Sequence, residues 1–127
     1  MPSQRRPGSS LREERRRYER IIDVYLRDCF DARTVARASE LAEKLDANRQ
    51  HISRRIRLLF GRPLAAILRE KQLAEAVRLL TTTPLEVKDV AAAAAFGHSR
   101  TFYRNFRKAF RLSPTRFRAA LRGDPKL

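Results

Sequence analysis

Arginine recurs in this 127-residue chain at a spacing suited to phosphate and base-edge chemistry. Arg54 and Arg57 reappear 50 residues later as Arg104 and Arg107. They keep the same phase against an apolar set, Ile52, Ile56 and Phe60, which returns as Phe102, Phe106 and Phe110. At about 100° per residue, the apolar side chains fall on one side of a helix and the arginines on the other. Two helices that each pack with one face and offer arginine with the opposite face imply a long, regular, anionic partner. Duplex DNA is the first candidate.

Individual positions sharpen that chemistry. With Gln50 taken as 0°, Ser53, Arg54 and Arg57 fall within about 60° of it, while Ile52, Ile56 and Leu59 lie opposite. In the second copy Arg100, Tyr103, Arg104 and Arg107 occupy the same angles, with Phe102, Phe106 and Ala109 behind. Arg54 and Arg104 can fork onto guanine O6 and N7, Gln50 can pair with adenine, and Thr101 can meet a thymine methyl or a phosphate. Arg57 and Arg107 lie one turn further on and suit phosphate. Arg49 and His51 at the start of the first copy, and Lys108 in the second, join the candidate DNA-binding set.

The charge distribution supports the same reading. The net charge is +15, and residues 47–62 hold five arginines and no acid, while residues 97–122 hold seven arginines, one lysine and no acid. Residues 63–96 between them balance, with four charges of each sign. Nearly all the excess therefore belongs to the two segments that contain the repeat, whereas a merely solubilising surface intersperses its signs.

These helices need elements to hold them. Residues 1–10 are rich in Pro, Gly, Ser and Arg and read as a flexible basic arm whose Arg5 and Arg6 could follow a minor groove or the phosphates. A helix is expected from Leu11 to near Phe30, and a short one over about 36–46. Asn48 then caps a basic helix over about 49–60, which Gly61 stops. A linker helix over 63–80, opened by Pro63, ends at Thr81-Thr82-Thr83-Pro84. A short helix through Val87, Val90 and the alanine run precedes the second basic helix, about 98–110, and Ser113-Pro114 opens a last helix to about Leu121. The domain layout is a first unit over 11–62, the linker, a second unit over 81–122 and a tail over 123–127. No sustained period-2 alternation is present, so the fold class is all-α. Short helix, turn, basic helix is the helix-turn-helix arrangement, here made twice, 39–46 with 49–60 and 87–94 with 99–110. A linker of about 18 residues spans about 27 Å, which with its turns suits successive major grooves recurring every 34–36 Å or so. One monomer would then read two half-sites.

The residues at this point resemble the DNA-binding domain of the AraC/XylS transcription regulators. The resemblance covers about residues 20–120. Its most specific part is Thr83-x-Leu85-x-Val87-x-x-Val90-Ala91-x-x-x-x-Phe96, then Phe102-x-Arg104-x-Phe106-Arg107-Lys108, then Ser113-Pro114-x-x-Phe117-Arg118. Leu41-Ala42 and Ile52-Ser53-Arg54, followed by Gly61, match the first unit, and Leu73-x-x-Ala76-x-x-Leu79-Leu80 matches the linker. The resemblance implies seven helices in two helix-turn-helix units, with base contacts from Gln50, Ser53, Arg54, Ser99, Arg100, Thr101, Tyr103 and Arg104. Departures from the family pattern are Ala95 and Arg111 where glycine is usual, His98 as a weaker helix cap, Gln72 for a linker arginine, and Arg100 for a serine. A left-handed Ala95 would cost about 1–2 kcal/mol. Most members carry a separate effector-binding or dimerisation domain, and nothing ahead of the first unit is large enough to be one. The reading is a stand-alone regulator or a domain from a longer chain.

Other classes fit less well. His51 and His98 lack a nearby Cys or carboxylate pair at triad or ligand spacing, so neither an enzyme nor a metal site is expected, and no cofactor. Cys29 is the single cysteine and reads as a small apolar residue on a helix face. No run of 18 apolar residues and no signal-peptide pattern is present, which points to a cytoplasmic protein at the nucleoid and away from membranes. The expected activity is sequence-specific transcription regulation, with double-stranded DNA and RNA polymerase as partners. The alternative is a non-specific nucleoid-associated protein. The two copies are also unequal, and a stricter base-reading first helix beside a more phosphate-directed second one is expected.

Overall fold

The computed structural model describes residues 7–46 and 48–123 of the chain. Seven helices run α1 (Pro7–Ala32), α2 (Ala38–Leu45), α3 (Arg49–Phe60), α4 (Leu64–Thr82), α5 (Val87–Ala93), α6 (Ser99–Phe110) and α7 (Pro114–Leu121). The described residues contain no strand, and none of their helices is long and apolar enough to cross a membrane.

Capping chemistry sets the boundaries of α3 and α7. The Asn48 side chain accepts the His51 N–H at 3.0 Å, and Ser113 Oγ accepts the Arg116 N–H at 3.1 Å. Each satisfies an amide that a helix start leaves without a partner. At the other end of α3, Gly61 turns left-handed at φ 73° and its N–H returns to the Arg57 carbonyl. Three expected boundaries move. Helix backbone begins at Pro7 rather than Leu11, so residues 7–10 belong to α1 and not to an arm. Proline suits a first helical position, and extending an existing helix costs less than starting one. Residues 1–6, with Arg5 and Arg6, and residues 124–127 of the tail lie outside the described residues. Pro63 is the N-cap of α4, with extended ψ 154°, not its first helical residue. The linker also runs on to Thr82, because the Thr81 and Thr82 hydroxyls donate to the Arg78 carbonyl and that of Thr83 to Leu79. These hydroxyls add second donors to carbonyls of the last turn, where the Thr83 N–H also returns to Leu79 at 3.1 Å, so the helix end is fastened by side chains as well as backbone.

Two cores form, one beneath each basic helix. Ile52 and Ile56 of α3 bury against Ile22, Leu26 and Cys29 of α1, Leu41 of α2 and Ile67 of α4. Phe102 and Phe106 of α6 bury against Phe96, Val90 and the α4 residues Leu73, Ala76 and Leu80. Phe106 meets Phe102 edge-on at 5.6 Å and Phe117 at 5.2 Å, an arrangement that aromatic quadrupoles favour. The long α4 contributes to both cores, its first half to one and its second half to the other.

Charged side chains tie α1 to the rest. Arg55 of α3 donates to both oxygens of Glu14, and Lys71 of α4 reaches Asp23 at 2.9 Å. Tyr25 donates to Glu40 at 2.7 Å and accepts the Arg37 N–H at 2.9 Å, while burial pushes its hydroxyl pKa up.

Two outcomes follow for stability. Phe106→Ala should lower unfolding free energy by about 3–5 kcal/mol in denaturant titration, since it empties a fully buried ring site. The hydrogen bond from Arg55 holds the Glu14 carboxyl below its usual value. That link is therefore present above the ordinary carboxylate range and is lost as pH falls through the depressed value. Glu14→Gln should thus be less stable than the parent at pH 7, with the difference in melting temperature closing below about pH 4.

Candidate nucleic-acid interface

The buried faces of α3 and α6 leave their opposite faces to solvent. Arg49, Gln50, His51, Ser53, Arg54 and Arg57 are all exposed along α3, and Ser99, Arg100, Arg104, Arg107 and Lys108 along α6. Among the described residues, no carboxylate pairs with an arginine of either set. The α3 face borders an open groove of about 620 Å³ whose floor is Ala38, Ala42, Ile52, Ile56 and Leu64, with Arg49, Gln50, Ser53 and Arg54 along it. Ser39 of α2 lines the same groove and was missed from the sequence. The signal for it is the helix-turn-helix geometry, in which the first helix crosses beside the second.

Other expected positions are less open to solvent or lie differently from the helical phase. Tyr103 and Thr101 are half-buried. The Tyr103 hydroxyl lies 3.3 Å from Thr115 Oγ1 and its ring meets Phe102 edge-on, so part of this side chain serves packing between α6 and α7. Ala109, expected behind the helix, is exposed together with residues 108–112, because the last turn of α6 projects past the aromatic core. Phe110 is exposed with them, its ring tilted against Phe106 at 4.6 Å. Its counterpart Phe60 is half-buried beneath the Arg15 guanidinium at 5.1 Å.

The charge count overstates what faces outward. In the first segment Arg55 is engaged by Glu14 and Arg62 by Glu70. In the second, Arg118 is 9% exposed and points inward. Its guanidinium donates to the carbonyls of Leu80 at 3.1 Å, Thr83 at 3.2 Å, Leu79 at 3.4 Å and Leu85. These carbonyls lie at the end of α4 and in the loop after it, so Arg118 caps the linker helix from α7. Burial pulls its pKa below the ordinary arginine value.

The two helices also start differently. Asp46 Oδ1 accepts the Asn48 N–H at 2.8 Å, and its Oδ2 lies 2.6 Å from His51 Nδ1. These bonds, the backbone one first, hold the Asp46 carboxyl below its usual range. His51 therefore braces the turn into α3 while remaining exposed. At α6 the N-cap is His98, whose side chain accepts no capping bond, and the first turn contains no acid. Its leading amides therefore have no side-chain acceptor from the cap residue, which leaves this helix start free for an anion.

Between the two units lies a junction. The second unit's turn passes through Ala95, left-handed at φ 65° and buried within the first unit's core. The Ala95 carbonyl accepts the Ala36 N–H at 3.1 Å and Gln72 Nε2 at 2.9 Å. Gln72 also reaches the Ala94 carbonyl at 3.3 Å. Gly97 follows at φ 81°, where any Cβ would come within 2.7 Å of Val35 Cγ2.

Comparison with known proteins agrees with this geometry. Residues 41–120, more than half of the chain, match a family profile described as a helix-turn-helix domain. The transcriptional activator AarP of Providencia stuartii is 29% identical over 79 residues, a stretch covering 62% of this chain and 58% of AarP. The chain thus spans less than two thirds of that relative's length. The crystal structure of the DNA-binding domain of AdpA, in complex with a target DNA, superposes with a TM-score of 0.70 at 25% identity, covering 82% of this chain and 95% of that domain. The C-terminal domain of the response regulator YesN from Fusobacterium nucleatum gives 0.69 at 26% identity, covering 80% and 93%. Since the matched stretch takes in both basic helices and the helix between them, the chain belongs to the helix-turn-helix family of AraC/XylS type.

Proposed function

We propose that this chain is a sequence-specific regulator of transcription that binds duplex DNA as a monomer, with α3 and α6 in successive major grooves. The observation that carries this reading is the pair of exposed, acid-free cationic helix faces, each backed by its own buried core. AdpA's domain, a near match in fold, is known in complex with a target DNA. α4, with 19 residues, is about 28 Å long, and with its flanking turns suits the 34–36 Å repeat of the groove. Such a regulator acts at the nucleoid on promoters served by RNA polymerase, and its residues bind and position; they are not arranged for catalysis.

Within this reading the heads divide the work. On α3, Gln50, Ser53 and Arg54 offer base-edge donors and acceptors from a firmly capped helix start. On α6, Tyr103 is partly used in packing, while the uncapped start, Arg100, Arg107 and Lys108 favour phosphate. A non-specific nucleoid protein would bind all duplexes with similar affinity and a steep salt slope.

Substitution of the two aligned arginines separates these readings. Arg54→Ala should cost about 1–3 kcal/mol on the preferred duplex and relax choice at particular base pairs. Arg104→Ala should cost a similar amount with a larger share lost equally on random DNA. Equal losses on preferred and random DNA for both variants, in a titration at fixed salt, would assign both to phosphate and favour the non-specific protein.

A further inference from the structure

The junction around Ala95 has more donors than a simple turn needs. Its carbonyl takes one hydrogen bond from α4, through Gln72, and one from the loop between α1 and α2, through the Ala36 N–H. Gln72 is 7% exposed, and its amide spans two successive carbonyls of the second unit's turn. Ala95 itself is 1% exposed and packs within the core that carries α3, although the chain places it four residues before α6. Across the same contact, a Cβ on Gly97 would come within 2.7 Å of Val35 Cγ2, and the left-handed φ of 81° disfavours a side chain there as well.

A linker helix fixes the distance between two heads but leaves their rotation and tilt to whatever touches both. Here α5 and the turn into α6 rest directly on the first unit, and Gln72 is the buried side chain that bonds this contact from the linker. We infer that Gln72 is a positioning residue: by fixing the Ala94 and Ala95 carbonyls, it sets the phase of α6 relative to α3 and so the half-site spacing the chain accepts. This rests on the proposal that both helices read DNA. One added base pair moves a half-site by about 3.4 Å along the duplex and about 35° around it. A clamped pair of heads cannot follow that change without breaking contacts, whereas a loosened pair can.

The test uses the full chain on duplexes carrying the two half-sites it selects from random sequence, with zero, one or two base pairs added or removed between them. Gln72→Met keeps the side chain's approximate length and burial but removes both donors. Val35→Ala is the milder second variant, trimming the methyl that abuts Gly97 at a position 39% exposed. The parent should lose about tenfold or more in affinity at one base pair of altered spacing. Gln72→Met should bind a single half-site as the parent does and lose less than about threefold at the altered spacing, with Val35→Ala between the two. A variant profile parallel to the parent's, shifted uniformly or not at all, would overturn the positioning role. A parent whose affinity ignores the second half-site would instead overturn the two-headed reading itself.

Discussion

The carbonyl of Ala95 is the point on which the relation between the two halves depends. It belongs by sequence to the second helix-turn-helix unit and by packing to the core of the first. Holding it there requires a left-handed alanine, which costs about 1–2 kcal/mol against a right-handed one. Two hydrogen bonds to one buried oxygen and a fully buried methyl offset that strain. A buried carbonyl left without donors would cost about as much again, so the left-handed turn and the glutamine amide support each other. The 19-residue α4 sets how far apart the heads lie, and the junction sets how they face.

Charge in this protein is divided between outward and inward work. Arg54, Arg57, Arg104 and Arg107 keep their guanidinium groups in solvent because the isoleucine or phenylalanine rows on the same helices take up the core contacts. Arg55 and Arg118 lie in the same strongly basic segments but are engaged within the fold, and Arg62 is paired at the surface with Glu70. Arg118 is the extreme case, spending its donors on the carbonyls that close α4 and lead into α5. A net charge alone would count these residues toward a polyanion partner. The hydrogen bonds of Arg55 and Arg118 assign those two to holding the recognition helices in place.

Much of the architecture was legible locally. The limits of α3 and α7 follow from Asn48, Gly61 and the Ser113-Pro114 pair, signals that act within a few residues. The phase of both basic helices follows from periodicity, and the buried Ile52, Ile56, Phe102 and Phe106 lie where it puts them. Position 95 could be flagged from its departure from a glycine pattern. Gln72 is flagged in the same way, as a departure from a linker arginine, but its pairing with Ala95 could not be read, because 23 residues separate them and nothing in the chain marks a buried amide in advance. The same holds for Arg118 with its carbonyls, 33 to 39 residues back, and for Glu14 with Arg55. Ala109 and Tyr103 show a related limit: helical phase gives a direction, while how far the core extends beneath a last turn depends on neighbouring helices. The start of α1 was misplaced because Gly, Ser and Pro read as loop formers, yet proline also fits the first turn of a helix.

Selection of bound sequences from a random duplex pool, at physiological salt, tests the central claim most directly. A two-headed reader with unequal heads should enrich two half-sites about one helical turn apart, the one under α3 with the greater base discrimination, held about 10³-fold or more above bulk DNA. A pool that emerges without a shared motif, bound as tightly as random duplex, would contradict it.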